Sequence, residues 1–398
     1  MKTTAIICEY NPFTNGHIRH LQLAREQTGA DTIICIMSGS FTQRGDAAIL
    51  DRYDRASLAA RLGADMVVEL PLIYAISPAD NFAYGAIKTL SVLPNVEYLS
   101  FGSECGDVEL LKKTAEFLSN EPQEFKDLFA KYKSEGYSYP KARGLALKEY
   151  SDIYPEYSDL SDVLDAPNNV LAIAYINAIK KFGLDVKLHT VKRVNNYNNE
   201  DLSGEYPSAS AIRYALRRER FNEVKEFVHP YCYNLLSTIK SDGSALDDLC
   251  LFKMKSISGY DLMNYYDVDV ESGMHNRLKL AAADSVTYSE YLEKAKSKNY
   301  TMSRIKRISL YALFDITKKM YEDAVNCPPH VYVLAINKLR KDILTELQKS
   351  CPNVLIRYSD VSKVDKRLRF MLKLDFQAQG TLNLINRTQC FNKTMLLV

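Results

Sequence analysis

The sequence predicts an α/β protein, a doubly wound parallel sheet joined to a mainly helical C-terminal region. Three observations predict it. Short runs rich in isoleucine and valine recur through the first two hundred residues, amphipathic segments at helical spacing separate them, and the strand signal fades beyond about Asn234. Alternation of this kind produces parallel strands with helices on both faces of the sheet.

Residues 4–8 are apolar and short, as a buried strand requires, and after a loop Leu21 and Ala24 recur at helical spacing. The chain therefore begins strand, loop, helix. Further strands are expected at residues 32–37, 66–70, 97–101 and 186–191, and helices at 52–62, 81–93, 108–118 and 169–182. Ser241-Asp242-Gly243-Ser244 reads as a loop near a boundary, which divides the chain into residues 1–235 and 236–398. In the second part, residues 251–265, 275–285 and 303–321 read as helices, and 331–336 and 354–358 as short strands of an appended segment. No internal repeat or low-complexity tract is visible.

Composition narrows the function classes. The 398 residues are 46% hydrophobic and 25% charged, ordinary for a soluble globular protein, and long enough for two domains. No run approaches membrane-spanning length, and Met1-Lys2 leads into strand-like sequence rather than a signal peptide, so no membrane association and a cytoplasmic location are expected. The eight cysteines are scattered without the paired spacing of metal sites or disulfide scaffolds, and Cys8 and Cys35 read as reduced core residues. A formal net charge of +2 is too small to imply nucleic acid by itself. That case must rest on local clusters.

The chemistry concentrates at Glu9-Tyr10-Asn11-Pro12-Phe13-Thr14-Asn15-Gly16-His17, between the first strand and the first helix. Backbone N–H groups at a helix start are unpaired and sit at the positive end of the dipole, so a phosphate chain is favoured there. Gly16 allows close approach, and His17 stands where a donor meets phosphate oxygens. The chain has neither G-x-G-x-x-G in its first turn nor G-x-x-x-x-G-K-[ST] anywhere. A second anion cradle is offered by Ser208-Ala209-Ser210-Ala211-Ile212-Arg213, with hydroxyls, helix N–H groups and a guanidinium fork together.

Thr14-Asn15-Gly16-His17 matches the [HT]-x-G-H signature of the nucleotidylyltransferase superfamily, and Ser208 to Arg213 resembles its second, Ser/Thr-rich signature. With Ser38-Gly39-Ser40-Phe41-Thr42-Gln43-Arg44-Gly45, Phe101-Gly102-Ser103-Glu104, Pro167-Asn168-Asn169 and Lys192-Arg193, the chain resembles the bacterial tRNA(Met) cytidine acetate ligases. The resemblance implies a Rossmann-like HIGH-type fold. It implies ATP contacts from Ile7, Cys8, Glu9, Tyr10, Asn11, Pro12, Phe13, Thr14, Asn15, Gly16, His17, Ile18, Arg19 and His20, and from Gly102, Asn168 and Arg193, with Ser208 and Ser210 joining through the second signature. Asn169 is nearly as good a candidate as Asn168. Thr14 stands where relatives often carry histidine, and Ala209 and Ala211 dilute the hydroxyls of the second signature.

The implied reaction has two steps: acetate attacks the α-phosphate of ATP to give acetyl-adenylate and pyrophosphate, and the wobble cytidine of elongator tRNA(Met) then takes the acetyl group. Acetate is already ionised at neutral pH, so His17 and Arg213 are expected to act on the phosphates rather than as bases, with Arg193 assisting. Mg²⁺ is expected to ride on the phosphates. For RNA, the basic stretch Lys294 to Arg307 is the leading candidate: Ile305, Ile308 and Tyr311 share one helical face, leaving Arg304 and Arg307 on another beside Lys306. Lys338, Arg340, Lys341, Lys366, Arg367 and Arg369 are weaker candidates. Two other readings fit the same turn: a small-molecule nucleotidylyltransferase, and a tRNA-binding protein without catalysis.

Overall fold

The computed structural model describes residues 1–193, 202–239, 243–388 and 394–398. Ser241 and Asp242 of the expected boundary loop, and Cys390, lie outside the described residues. The sheet contains β1 (Thr3–Cys8), β2 (Thr32–Ser38), β3 (Met66–Leu70), β4 (Val96–Ser103), β5 (Lys187–Lys192), β6 (Val331–Ile336), β7 (Val354–Leu355) and β8 (Leu396–Leu397). Its order is β5-β4-β1-β2-β3-β6-β7, with β8 also paired to β6. β1, β2, β3, β4 and β5 pair in parallel, and β6 runs antiparallel to β3.

The strand order reverses at β1, which has β2 on one side and β4 on the other. Such a switch point opens a crevice at the carboxyl ends of the strands. β2 and β3 are buried along their whole length, which explains their continuous apolar sequence.

The strand expectations hold to within two residues at each end through β5. The helices Arg52–Arg61, Ala79–Leu90, Val108–Ser119 and Pro167–Phe182 fall where periodicity placed them. Two of the later helices do not. The run 251–265 breaks at Ile257, with Ser258 capping the short helix Gly259–Leu262, and the run 303–321 divides into Met302–Leu313 and Lys318–Asn326 around Asp315, whose φ is +55°. The strand at 331–336 is not part of an appended segment: its residues are fully buried and extend the main sheet at β3. An apolar strand whose own region offers only the two-residue partners β7 and β8 gains further backbone hydrogen bonds by joining the existing edge.

Among the described residues no helix is long and apolar enough to cross a membrane.

Candidate active site

The loops after β1, β2, β4 and β5 converge with the start of the helix Ala209–Arg217 to form one cleft in two adjoining halves. One half is lined by Thr14, Gly16, His17, Arg19, His20, Gly102, Lys192, Arg193, Tyr206 and Ser208. The other adds Ile7, Cys8, Glu9, Tyr10, Asn11, Thr42, Gln43, Arg44, Asn168, Tyr175, Ser210 and Arg213. Most of the residues expected around ATP are thus brought together from five separate stretches of chain. Pro12, Phe13, Asn15 and Ile18 do not line it. Phe13 is fully buried under Tyr10 and His17, and the Asn15 amide donates to the Glu226 carbonyl at 2.9 Å.

Thr14 caps the helix Asn15–Thr28 in extended conformation, and its backbone N–H donates to His17 Nδ1 at 3.0 Å. That bond fixes the tautomer: Nδ1 is the acceptor, so the proton resides on Nε2. Burial, reinforced by Arg193 and His20, lowers the His17 pKa to about 3. The imidazole is therefore a neutral N–H donor in the free protein, not the cation that a clamp would suggest. Thr14 costs the site a second imidazole, and its hydroxyl lies 3.2 Å from Nδ1 of the first.

Arg213 spans the cleft floor. Nη1 donates to the Asn11 carbonyl at 2.6 Å and Nη2 to Ser210 Oγ at 2.9 Å, tying the second signature to the loop after β1. Ser208 Oγ caps its helix by accepting from Ala211 N–H at 3.0 Å. Both serine hydroxyls serve as acceptors within the protein, and each keeps its own O–H to give to an anion.

The Asn168 and Asn169 alternatives separate. Asn169 is buried, its Oδ1 accepting from the N–H groups of Glu104 and Cys105 at 3.0 and 3.2 Å while its backbone N–H donates to Glu104 Oε2. It locks the loop after β4. Asn168 donates to Glu104 Oε1 at 2.6 Å and lines the cleft. At Gly102 the Arg193 side chain lies 3.4 Å from where a Cβ would be, so the missing side chain leaves Arg193 room to cover the strand end.

One organiser escaped the sequence reading. Arg55 is fully buried and donates to the carbonyls of Glu9 at 2.6 Å, Ser38 at 3.0 Å, Leu50 at 3.1 Å and also Gly39, joining the loops after β1 and β2. The available signal was a pair of arginines, Arg52 and Arg55, on a helix where Tyr53, Ala56, Leu58, Ala59 and Ala60 are also buried. Arg52 forms a buried ion pair with Glu69 at 2.6 Å, and Gly39 packs so closely on Glu69 that a Cβ would fall 2.2 Å from its Oε1. Glu9, held by the Gln43 N–H at 2.7 Å, has its carboxyl pKa pushed up by burial.

The three basic side chains expected to meet RNA each face a carboxylate, and Arg304 and Arg307 also line a cavity with Arg143 and Asn299. Arg304 bonds Asp267 at 3.0 Å, Arg307 is buried 3.8 Å from the same carboxylate, and Lys306 bonds Asp46 at 2.8 Å. Gly45, at φ +82°, brings the loop after β2 against Lys306 and Arg307, where a Cβ would lie 2.8 Å from Lys306 Cβ. The helix Met302–Leu313 thus supports a wall of the cleft, because the loop supplies Asp46 and the turn at Asp267 supplies a second carboxylate. Arg340 and Arg367 are likewise bound, to Asp65 and Asp365. Among the described residues no group of three His, Cys, Asp or Glu side chains is placed to hold a metal ion.

The comparisons with known proteins agree with this geometry. The model of the HIGH Nucleotidyl Transferase family matches residues 1–395. A tRNA(Met) cytidine acetate ligase of Clostridium perfringens is 35% identical over 403 residues, covering 100% of this chain and 98% of the relative, and one of a Thermoanaerobacter species is 35% identical over 92% of this chain and 91% of the relative. The crystal structure of Thermotoga maritima TmcAL superposes with a TM-score of 0.91 at 29% identity over the full length of both chains. The form of that protein bound with alpha-thio ATP superposes with a TM-score of 0.89. The chain belongs to the HIGH nucleotidyl transferase family and, within it, to the family of the tRNA(Met) cytidine acetate ligases.

Proposed function

We propose that this protein is an ATP-dependent acetate ligase that forms acetyl-adenylate and transfers the acetyl group to the wobble cytidine of elongator tRNA(Met), in the cytoplasm. The observation that carries the reading is the convergence of two helix starts on one cleft, with His17 on one and Arg213 on the other, in a chain similar to such ligases along its whole length.

In this reading the triphosphate lies between the two helix starts. His17 Nε2–H and the Ser208 and Ser210 hydroxyls donate to its oxygens, and Arg213 supplies fixed positive charge as pyrophosphate leaves. Acetate arrives ionised, so the first step has no proton to move. Magnesium brought with ATP would be carried by the phosphates, since no cage for it is found among the described residues. In the second step the cytidine amine is a weak nucleophile, and holding it against the adenylate supplies much of the acceleration. A base in a single-stranded loop leaves its stack at low cost.

Purified protein incubated with ATP and labelled acetate, with and without bulk tRNA, provides the test. The expected result is acetate-dependent pyrophosphate release and label in RNA. Transfer of AMP to a metabolite without acetate would replace this reading with a small-molecule nucleotidylyltransferase, and tight tRNA binding without ATP turnover would replace it with a non-catalytic RNA-binding protein.

A further inference from the structure

A chain of hydrogen bonds leads from the protein surface into the nucleotide cleft through residues that the phosphate chemistry does not use. Exposed Gln27 places Oε1 at 2.7 Å from His189 Nε2, His189 Nδ1 lies 2.9 Å from Ser100 Oγ, and Ser100 Oγ lies 2.9 Å from His20 Nε2. Ser100 is wholly buried in β4. An amide oxygen only accepts, so His189 Nε2 carries the proton and Nδ1 accepts from the Ser100 hydroxyl. The serine oxygen then accepts from His20 Nε2–H. Both rings are neutral near pH 7, since burial lowers the pKa of His189 and lowers that of His20 to about 4. His20 Nδ1 is left as a bare lone pair, without a hydrogen-bond partner among the described residues.

That lone pair is unusual in its surroundings. His20 shares its half of the cleft with Arg19, Lys192 and Arg193, whose side chains only donate. A hydroxyl on a ligand could serve either donor or acceptor and would need no fixed tautomer. An amine attached to an aromatic ring only donates.

We propose that Ser100 and His189 are positioning residues that hold His20 with Nδ1 toward the cleft, where it accepts from the 6-amino group of adenine and so selects ATP over 6-oxo purine nucleotides. The inference rests on the ATP reading above but not on acetate or RNA chemistry. Calorimetric binding of ATP, ITP and 2′-deoxy-ATP to the full-length protein separates the two, because it registers the base preference even if no acetate is activated.

The wild type should bind ATP ~10-fold or more tighter than ITP, the size of one well-placed hydrogen bond. Ser100→Ala should bring the two within ~3-fold, raising KM for ATP with kcat nearly unchanged, as loss of uniform binding does. His189→Asn, whose amide oxygen can stand in for Nδ1, should retain the preference. Gln27→Lys offers a test on an exposed position where folding is not at stake: a donor there reverses every bond in the chain, gives His20 an Nδ1–H, and should favour ITP. Nitrogen-15 NMR of the histidine rings should show His20 protonated at Nε2. An unchanged ATP-to-ITP ratio in both Ser100→Ala and Gln27→Lys, a penalty confined to 2′-deoxy-ATP, or a proton on His20 Nδ1 in the wild type would each overturn the proposal.

Discussion

The turn at Thr14 to His17 and the helix Met302–Leu313 both present nitrogen donors, yet they do opposite work. In the turn, the helix start meets no carboxylate among the described residues, so the His17 Nε2–H remains available to a ligand. In the later helix, Arg304, Lys306 and Arg307 lie along the body of the element, and Asp267 and Asp46 meet them from other parts of the chain. Cationic residues on a helix therefore report an interface only after their partners are known.

The comparison can be broken first at His17. His17→Ala should lower acetate-dependent pyrophosphate release ~10²–10³-fold, as removal of one well-placed transition-state donor does, with circular dichroism and tRNA binding retained. Loss of RNA binding instead, with adenylate formation intact, would place the chemistry elsewhere. The opposite pattern is expected at Arg307→Ala. Asp267 would lose one of two guanidiniums in a site where burial already pushes its carboxyl pKa up, costing about 3 kcal/mol in urea unfolding. A substitution there that left stability unchanged and abolished only tRNA binding would return Arg307 to the role of an RNA contact.

Ser208→Ala should cost about 1 kcal/mol of stability through its helix cap and raise KM for ATP more than it lowers kcat. Lys306→Met should have a smaller effect on stability, below about 1 kcal/mol, because the Asp46 pair is partly solvated. Its effect on KM for ATP measures how far the loop after β2 depends on that anchor.

Acid supplies a finer test of the phosphate turn. The His17 pKa falls from 6.5 to about 3 in the folded protein, so between those values the unfolded chain binds more protons. Stability from this group is complete above pH 6.5 and is lost as pH drops toward 3. His17→Gln should flatten the urea midpoint against pH across that window.

The strands of the first half were readable because β1, β2 and β3 are covered on both faces, leaving apolar runs bounded by turns. The helix breaks at Ile257 and Asp315 were not, since apolar residues continue through them and only the cap at Ser258 and the left-handed Asp315 mark the ends. Helices Gln123–Ser134, Tyr139–Ile153 and Arg369–Asn386 also went unread. In the site, His17, Gly102, Asn168, Arg193 and Arg213 were legible from motifs. Arg55 was not, because its importance lies in four carbonyls from distant residues.

By itself the sequence determined the order of strands and helices, the two helix starts and the residue types beside them, because strand burial, helix periodicity and capping are set by neighbours along the chain. Only the tertiary structure decided that β6 extends the first sheet, that His17 is a neutral donor with its proton on Nε2, and that Arg304, Lys306 and Arg307 pair with Asp46 and Asp267. Each of these depends on desolvation or on a partner hundreds of positions away or on the far side of a loop, and no local pattern encodes the electric field such partners create.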